Sequence, residues 1–86
     1  MPEISRFFGI VIKMFWDDHN PPHFHVFYAG QEALIDIPSL SLFAGNLSPR
    51  ALGLVVEWAT LHQQELLADW RRAAGQEPLQ KIEPLK

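Results

Sequence analysis

A chain of 86 residues has room for one hydrophobic core, since a domain of this size buries roughly 60 to 65% of the surface its unfolded chain exposes. Hydrophobic residues at 48% and aromatics at 12% exclude a disordered chain, and the absence of cysteine excludes disulfides and thiolate metal sites. The net charge of −3 is uneven: residues 1–45 hold five acids and two bases, and residues 46–86 hold five of each. An acidic first half is poorly suited to gripping phosphates, so nucleic-acid binding is not favoured; it would fall to Arg50, Arg71, Arg72, Lys81 and Lys86. No apolar run reaches the 18 or so residues of a membrane helix and no signal-like segment opens the chain, so the expected compartment is the cytoplasm. A single small core leaves little space for a pocket of about 300 Å³, which points to function on a surface, in a shallow cleft or between subunits.

Residues 7–16 alternate, with Phe8, Ile10, Ile12, Met14 and Trp16 on one face and Phe7, Gly9, Val11, Lys13 and Phe15 on the other, as in a strand. Residues 17–22 are turn formers, and Pro21 and Pro22 end the strand. Residues 23–28 are aromatic and β-branched, and Ala29-Gly30 makes a two-residue turn into a strand over 31–37. That turn pairs Tyr28 with Gln31. The register then sets Val26 against Ala33 and Phe24 against Ile35 on the core face, with Phe27 against Glu32, His25 against Leu34 and His23 against Asp36 on the other.

Pro38 stops the third strand, and residues 38–47 read as an apolar connector with a Gly45-Asn46 turn. Ser48-Pro49 is a strong helix start, a capping hydroxyl followed by a residue pre-shaped for the first helical position. One long helix is expected to run to about Ala74, with Gly75 as its C-terminal cap. Leu52, Val55, Val56, Ala59, Leu66 and Trp70 form its apolar stripe, and Glu57, Gln64, Asp69 and Arg71 face out. Trp58 belongs to the core and His62 to its edge. Residues 76–86 form an extended tail, docked through Leu79 and Ile82. The expected fold is a single α+β domain over residues 1–86: a three-stranded antiparallel sheet (7–37), the connector (38–47), one C-terminal helix (48–75) and the tail (76–86).

The stretch DDHNPPHFHV places two carboxylates and three histidines within residues 17–25. His23 and His25, two apart on a strand, point to the same side about 6 to 7 Å apart. Three readings compete for them: bracing the turn or touching a partner, holding a metal, and acid–base work. A divalent transition metal would take His19, His23 and His25, with Asp17, Asp18 or Asp36 completing or orienting the set. As catalytic groups, His23 and His25 would form an acid–base pair, with Asp36, opposite His23, and Asp18 as the carboxylates that orient them. No activated nucleophile accompanies them, so water or a ribose hydroxyl is the group to be activated. Phe15, Phe27, Val11 and Leu34 share the histidines' face and make it apolar enough to mark an interface, with Lys13 and Glu32 as its polar rim.

The opening MPEISRFFGIVIKMFWDDHNPPHFHV, the Gly45-Asn46-Leu47 turn, the EWATLHQQELLADW helix and the closing PLQKIEPL together resemble the bacterial family called domain of unknown function 4160. Its most specific part, F-x-x-D-H-x-P-P-H-F-H-V, is matched by Phe15, Asp18, His19, Pro21, Pro22, His23, Phe24, His25 and Val26. The resemblance implies a small stand-alone protein, often encoded beside a second small protein in a toxin–antitoxin-like pair. It implies a partner more than a reaction. The expectation is thus a protein-binding module, a homodimer or one half of a pair with a small cognate protein, that uses Phe15, Asp18, His19, His23, His25, Phe27 and Leu34. The alternative is a histidine- or metal-dependent, ribonuclease-like hydrolase built on residues 17–25.

Overall fold

The computed structural model describes residues 2–86. Its elements are β1 (Glu3–Phe7), β2 (Ile10–Lys13), β3 (His23–Tyr28), β4 (Gln31–Asp36), β5 (Leu42–Gly45), α1 (Pro49–Leu61) and α2 (Gln63–Ala74). The strands form one antiparallel meander in chain order. The α+β class stands, but the sheet has five strands instead of three, and the long helix is two.

The extra strand at the N-terminus was hidden in the alternation. Phe8 and Gly9 adopt φ of +50° and +78°, and Ala29 and Gly30 adopt +50° and +77°. Two positive φ values in succession are the signature of the tight hairpin turn whose twist suits the flanking strands. Residues flanking such a turn pair directly and share a face. Phe7 therefore pairs with Ile10 and joins it in the core, while Phe8 is thrown outward, 58% exposed. From Ile10 to Met14 the alternation holds, with Ile10, Ile12 and Met14 fully buried, but Trp16, expected on the same face, is 38% exposed, its indole N–H donating to the Glu77 carbonyl. The β3–β4 pairs run from His23–Asp36 to Tyr28–Gln31 in the expected register.

The other extra strand, β5, lies inside the expected connector. Its pairing with β4 slips by one residue between Leu34 and Ile35, so Phe43 bulges outward while Leu42 packs against the core. Gly45 makes this close approach feasible. Its φ is +81°, and a Cβ there would sit 2.1 Å from the Glu32 carbonyl oxygen and 2.9 Å from the Ala33 Cα.

Ser48 caps α1, its hydroxyl accepting from the Ala51 amide at 3.3 Å, and Pro49 follows in the first turn. The helix breaks at His62, whose φ of −124° leaves the helical range. Just past the break, Gln63 Nε2 donates to the carbonyls of Ile37 (2.7 Å) and Pro38 (3.1 Å), tying the start of α2 to the end of β4. Gly75 caps α2, but the left-handed residue is Gln76, at φ +59°.

The core lies between the sheet's inner face and the helices. Phe24, Val26, Ile35 and Ile37 meet Ala51, Val55, Trp58, Ala59 and Leu66 there. Trp58 is fully buried against the rings of Phe7 and Phe24, and its indole N–H donates to the Glu83 carbonyl at 2.8 Å. The tail is docked as expected: the Ile82 amide donates to the Ile4 carbonyl, and Ile82 is buried. Asp69 does not face out. It is wholly buried, with Oδ1 accepting from Arg72 Nη1 (2.8 Å) and from the Gln80 amide (2.9 Å), so the tail draws it inward. No helix among the described residues is long and apolar enough to cross a membrane.

Gly45→Ala is expected to destabilise the fold by about 2 kcal/mol or more, because the added methyl meets backbone as well as a disfavoured φ. Thermal unfolding should then show a midpoint lowered by about 8 °C or more.

Candidate functional site

The site is built where the β2–β3 turn feeds into β3. Two consecutive prolines supply this turn with carbonyls and no amide donors. The Pro22 carbonyl takes the Ile37 amide at 2.9 Å, extending the β3–β4 ladder by one bond. The Pro21 carbonyl lies 2.6 Å from His23 Nδ1. Strand alternation then sends His25 and Phe27 to the same outer face, beside Lys13 and Val11 of β2.

Asp18 is the focus of the cluster. Its Oδ2 lies 2.8 Å from His25 Nε2 and 3.1 Å from His23 Nε2. The other ring nitrogen of His25, Nδ1, faces Glu32 Oε2 at 3.1 Å. Aromatic rings wall the two imidazoles. Phe15 meets His25 edge-on at 4.6 Å, Phe27 lies nearly parallel to it at 6.4 Å, and Trp70 and Phe43 flank His23 at 5.2 and 5.5 Å. Lys13 places its ammonium 4.9 Å from the Phe27 ring centre, within cation–π range. The outward orientation expected of both histidines holds for His25, whereas His23 is 5% exposed, closed over by Trp70 of α2.

Of the residues singled out from sequence, Phe15, Asp18, His23, His25 and Phe27 come together, and Leu34 pairs with His25 on the same face. Three do not join them. Asp36 is opposite His23 in register, but its Oδ2 accepts from the amide (2.8 Å) and hydroxyl (2.6 Å) of Ser39 at the strand's end, so of the two expected orienting carboxylates Asp18 is the one beside the imidazoles. His19 is exposed and lies outside the cluster; the trio with converging donor atoms is Asp18, His23 and His25. Asp17 turns away to accept from Gln76 Nε2 at 3.0 Å.

Trp70 and Phe43 are the additions, and Glu32, expected only at the polar rim, reaches His25 itself. Glu32 was accessible from the register, since it sits diagonally across from His25, within reach of a long side chain. Trp70 and Phe43 depend on helix docking and on a strand bulge, which leave no local pattern.

The hollow beside Asp18, lined by Phe15, Trp16, Trp70 and Ala73, measures about 10 Å³, the space of a single water. A wider, open depression of about 350 Å³ lies at the hairpin tips, lined by Gly9, Tyr28 and Gly30 among others.

These features define a small α+β domain, a five-stranded meander with a histidine–carboxylate cluster on its outer face. Residues 9–71, which include the whole cluster, match the family described as Domain of unknown function (DUF4160), and the chain belongs to that family. No curated protein and no solved structure matches it.

Asp18→Ala should lower stability by about 1 to 3 kcal/mol, because it removes the carboxylate partner of His25 Nε2, 2.8 Å away in a cluster largely closed to solvent. His19→Ala should stay within about 0.5 kcal/mol of the parent. Urea unfolding of both variants beside the parent checks the contrast.

Proposed function

We propose that this protein is a small binding module, one half of a toxin–antitoxin-like pair, that meets a second copy or a small cognate protein through the outer face of its sheet. The observation that carries this reading is the composition of that face. Val11, Phe15, Phe27 and Leu34 are only half-buried, and Phe43 is 46% exposed beside them. A contiguous apolar, aromatic surface of this kind marks interaction sites on soluble domains. Lys13 and Glu32 border it with opposite charges, which suits it to orient a partner. The family resemblance supports a partner as well.

The chain should elute as a dimer, or co-elute with the product of its neighbouring gene, in size-exclusion chromatography with light scattering. The double variant Phe27→Glu/Phe43→Glu should weaken that association at least tenfold while keeping the parent's circular dichroism. A strict monomer that never co-elutes with its neighbour's product would count decisively against the reading.

A second reading, a ribonuclease-like hydrolase, is supported by the convergence of both Nε2 atoms on Asp18 Oδ2. An imidazole oriented by a carboxylate is equipped to take a proton from water or a ribose hydroxyl. On this reading the parent cleaves RNA and His25→Ala loses about 100-fold or more of the rate. Equal rates in the two proteins, or no cleavage by either, would remove it.

A further inference from the structure

We propose that Asp18, His23 and His25 form a binding site for one divalent transition-metal ion, with Zn²⁺ matching the donor set best. The inference is independent of whether a partner docks on the sheet or RNA is cleaved.

The first argument is tautomeric. The Pro21 carbonyl can only accept, so at 2.6 Å it fixes a hydrogen on His23 Nδ1. In the neutral ring, Nε2 is then a bare lone pair, and it points at another lone pair on Asp18 Oδ2, 3.1 Å away. His25 meets the same conflict, because each of its ring nitrogens faces a carboxylate oxygen. In a neutral imidazole one nitrogen carries no hydrogen. A cation placed among the three groups turns both oppositions into ligation: each Nε2 and the Asp18 oxygen donate to the ion, and each Nδ1–H points outward to a fixed acceptor. Metal-bound histidines characteristically hold their second nitrogen in this way, on a backbone carbonyl or a carboxylate. Here Pro21 and Glu32 supply one of each.

The second argument is spacing. Zinc bonds of about 2.0–2.1 Å in tetrahedral geometry set neighbouring ligand atoms roughly 3.3 Å apart. The distances from Asp18 Oδ2 to the two Nε2 atoms are 3.1 and 2.8 Å, and a donor atom of each residue lies within 4.8 Å of the other two. A slight opening of the trio admits the ion.

The third argument is burial. The His23 side chain is 6% exposed and that of His25 13%, and both are braced by aromatic rings. The ligands are therefore held in place before any ion arrives. Three protein ligands leave a fourth position for a water or for a side chain from a partner.

The test is calorimetric titration of the full chain, stripped with a chelator, using ZnCl₂. Co²⁺ serves as the spectroscopic probe, and nitrogen-15 NMR reads the histidine rings. Binding should saturate at one ion per chain. His23 and His25 should keep their Nδ1 hydrogens while their Nε2 resonances shift, and Co²⁺ should give the visible bands of a four- or five-coordinate site. Asp18→Asn and His25→Ala should each lose about 100-fold in affinity, and His19→Ala should lose none. Glu32→Gln should lose about tenfold, the cost of an orienting carboxylate. Because Glu32 is a surface residue, that variant keeps the test sharp even if the ligand variants unfold. The proposal is overturned by the absence of saturable binding, or by an adventitious ion only, seen as binding that survives Asp18→Asn and His25→Ala or is lost in His19→Ala.

Discussion

The pairing of β3 with β4 is the constraint from which the site follows. The Ala29-Gly30 turn joins the strands through two residues of positive φ, and that geometry sets Tyr28 opposite Gln31. Every later pair is then determined. Side chains alternate along a strand, so a slip of one position would carry His25 into the core and Val26 out of it. The penalty for burying one imidazole and exposing one valine holds the register against such a slip. The same pairing brings Glu32 within reach of His25 and leaves Asp36 at the strand's end, where Ser39 occupies its carboxylate.

The prolines of the β2–β3 turn have a role beyond bending the chain. Burying His23 requires an acceptor for its Nδ1 hydrogen, and a buried polar group left without one costs about 1–3 kcal/mol. A proline carbonyl meets that need without bringing an amide that must be satisfied in turn. Pro21 and Pro22 thus answer two buried donors, the His23 ring and the Ile37 amide. The polar cluster can therefore sit against Trp70 and Phe43 without competing with the ladder for hydrogen bonds.

Much of this was legible in the sequence because it rests on local chemistry. Ser48-Pro49 announces a helix start, Ala29-Gly30 a hairpin, and the 23–36 alternation separates core from outer face. The first hairpin uses the same turn at Phe8-Gly9, but phenylalanine there imitates a strand residue, so the alternation runs through the turn without a visible break. β5 is short and bulged, and its glycine is required by the approach of Glu32, a residue 13 positions away. The docking of Gln63 beside the break at His62 and the burial of Asp69 likewise depend on partners elsewhere, Ile37 and Pro38 in one case and Gln80 in the other. Within the site, the choice of Asp18 over Asp36 was decided by the path of the turn. Spacing along a strand carries no information about that path.

The last residues of the chain behave as an internal part of the architecture. The family match stops at residue 71, yet Glu77 and Glu83 lend their carbonyls to the indoles of Trp16 and Trp58, and Gln80 lends its amide to Asp69. A fragment cut at the boundary of the match would strip an acceptor from the most deeply set tryptophan and a donor from an interior carboxylate. In this protein the tail completes the wiring of the core, so a minimal domain has to be drawn around its hydrogen bonds and extends past the family's edge.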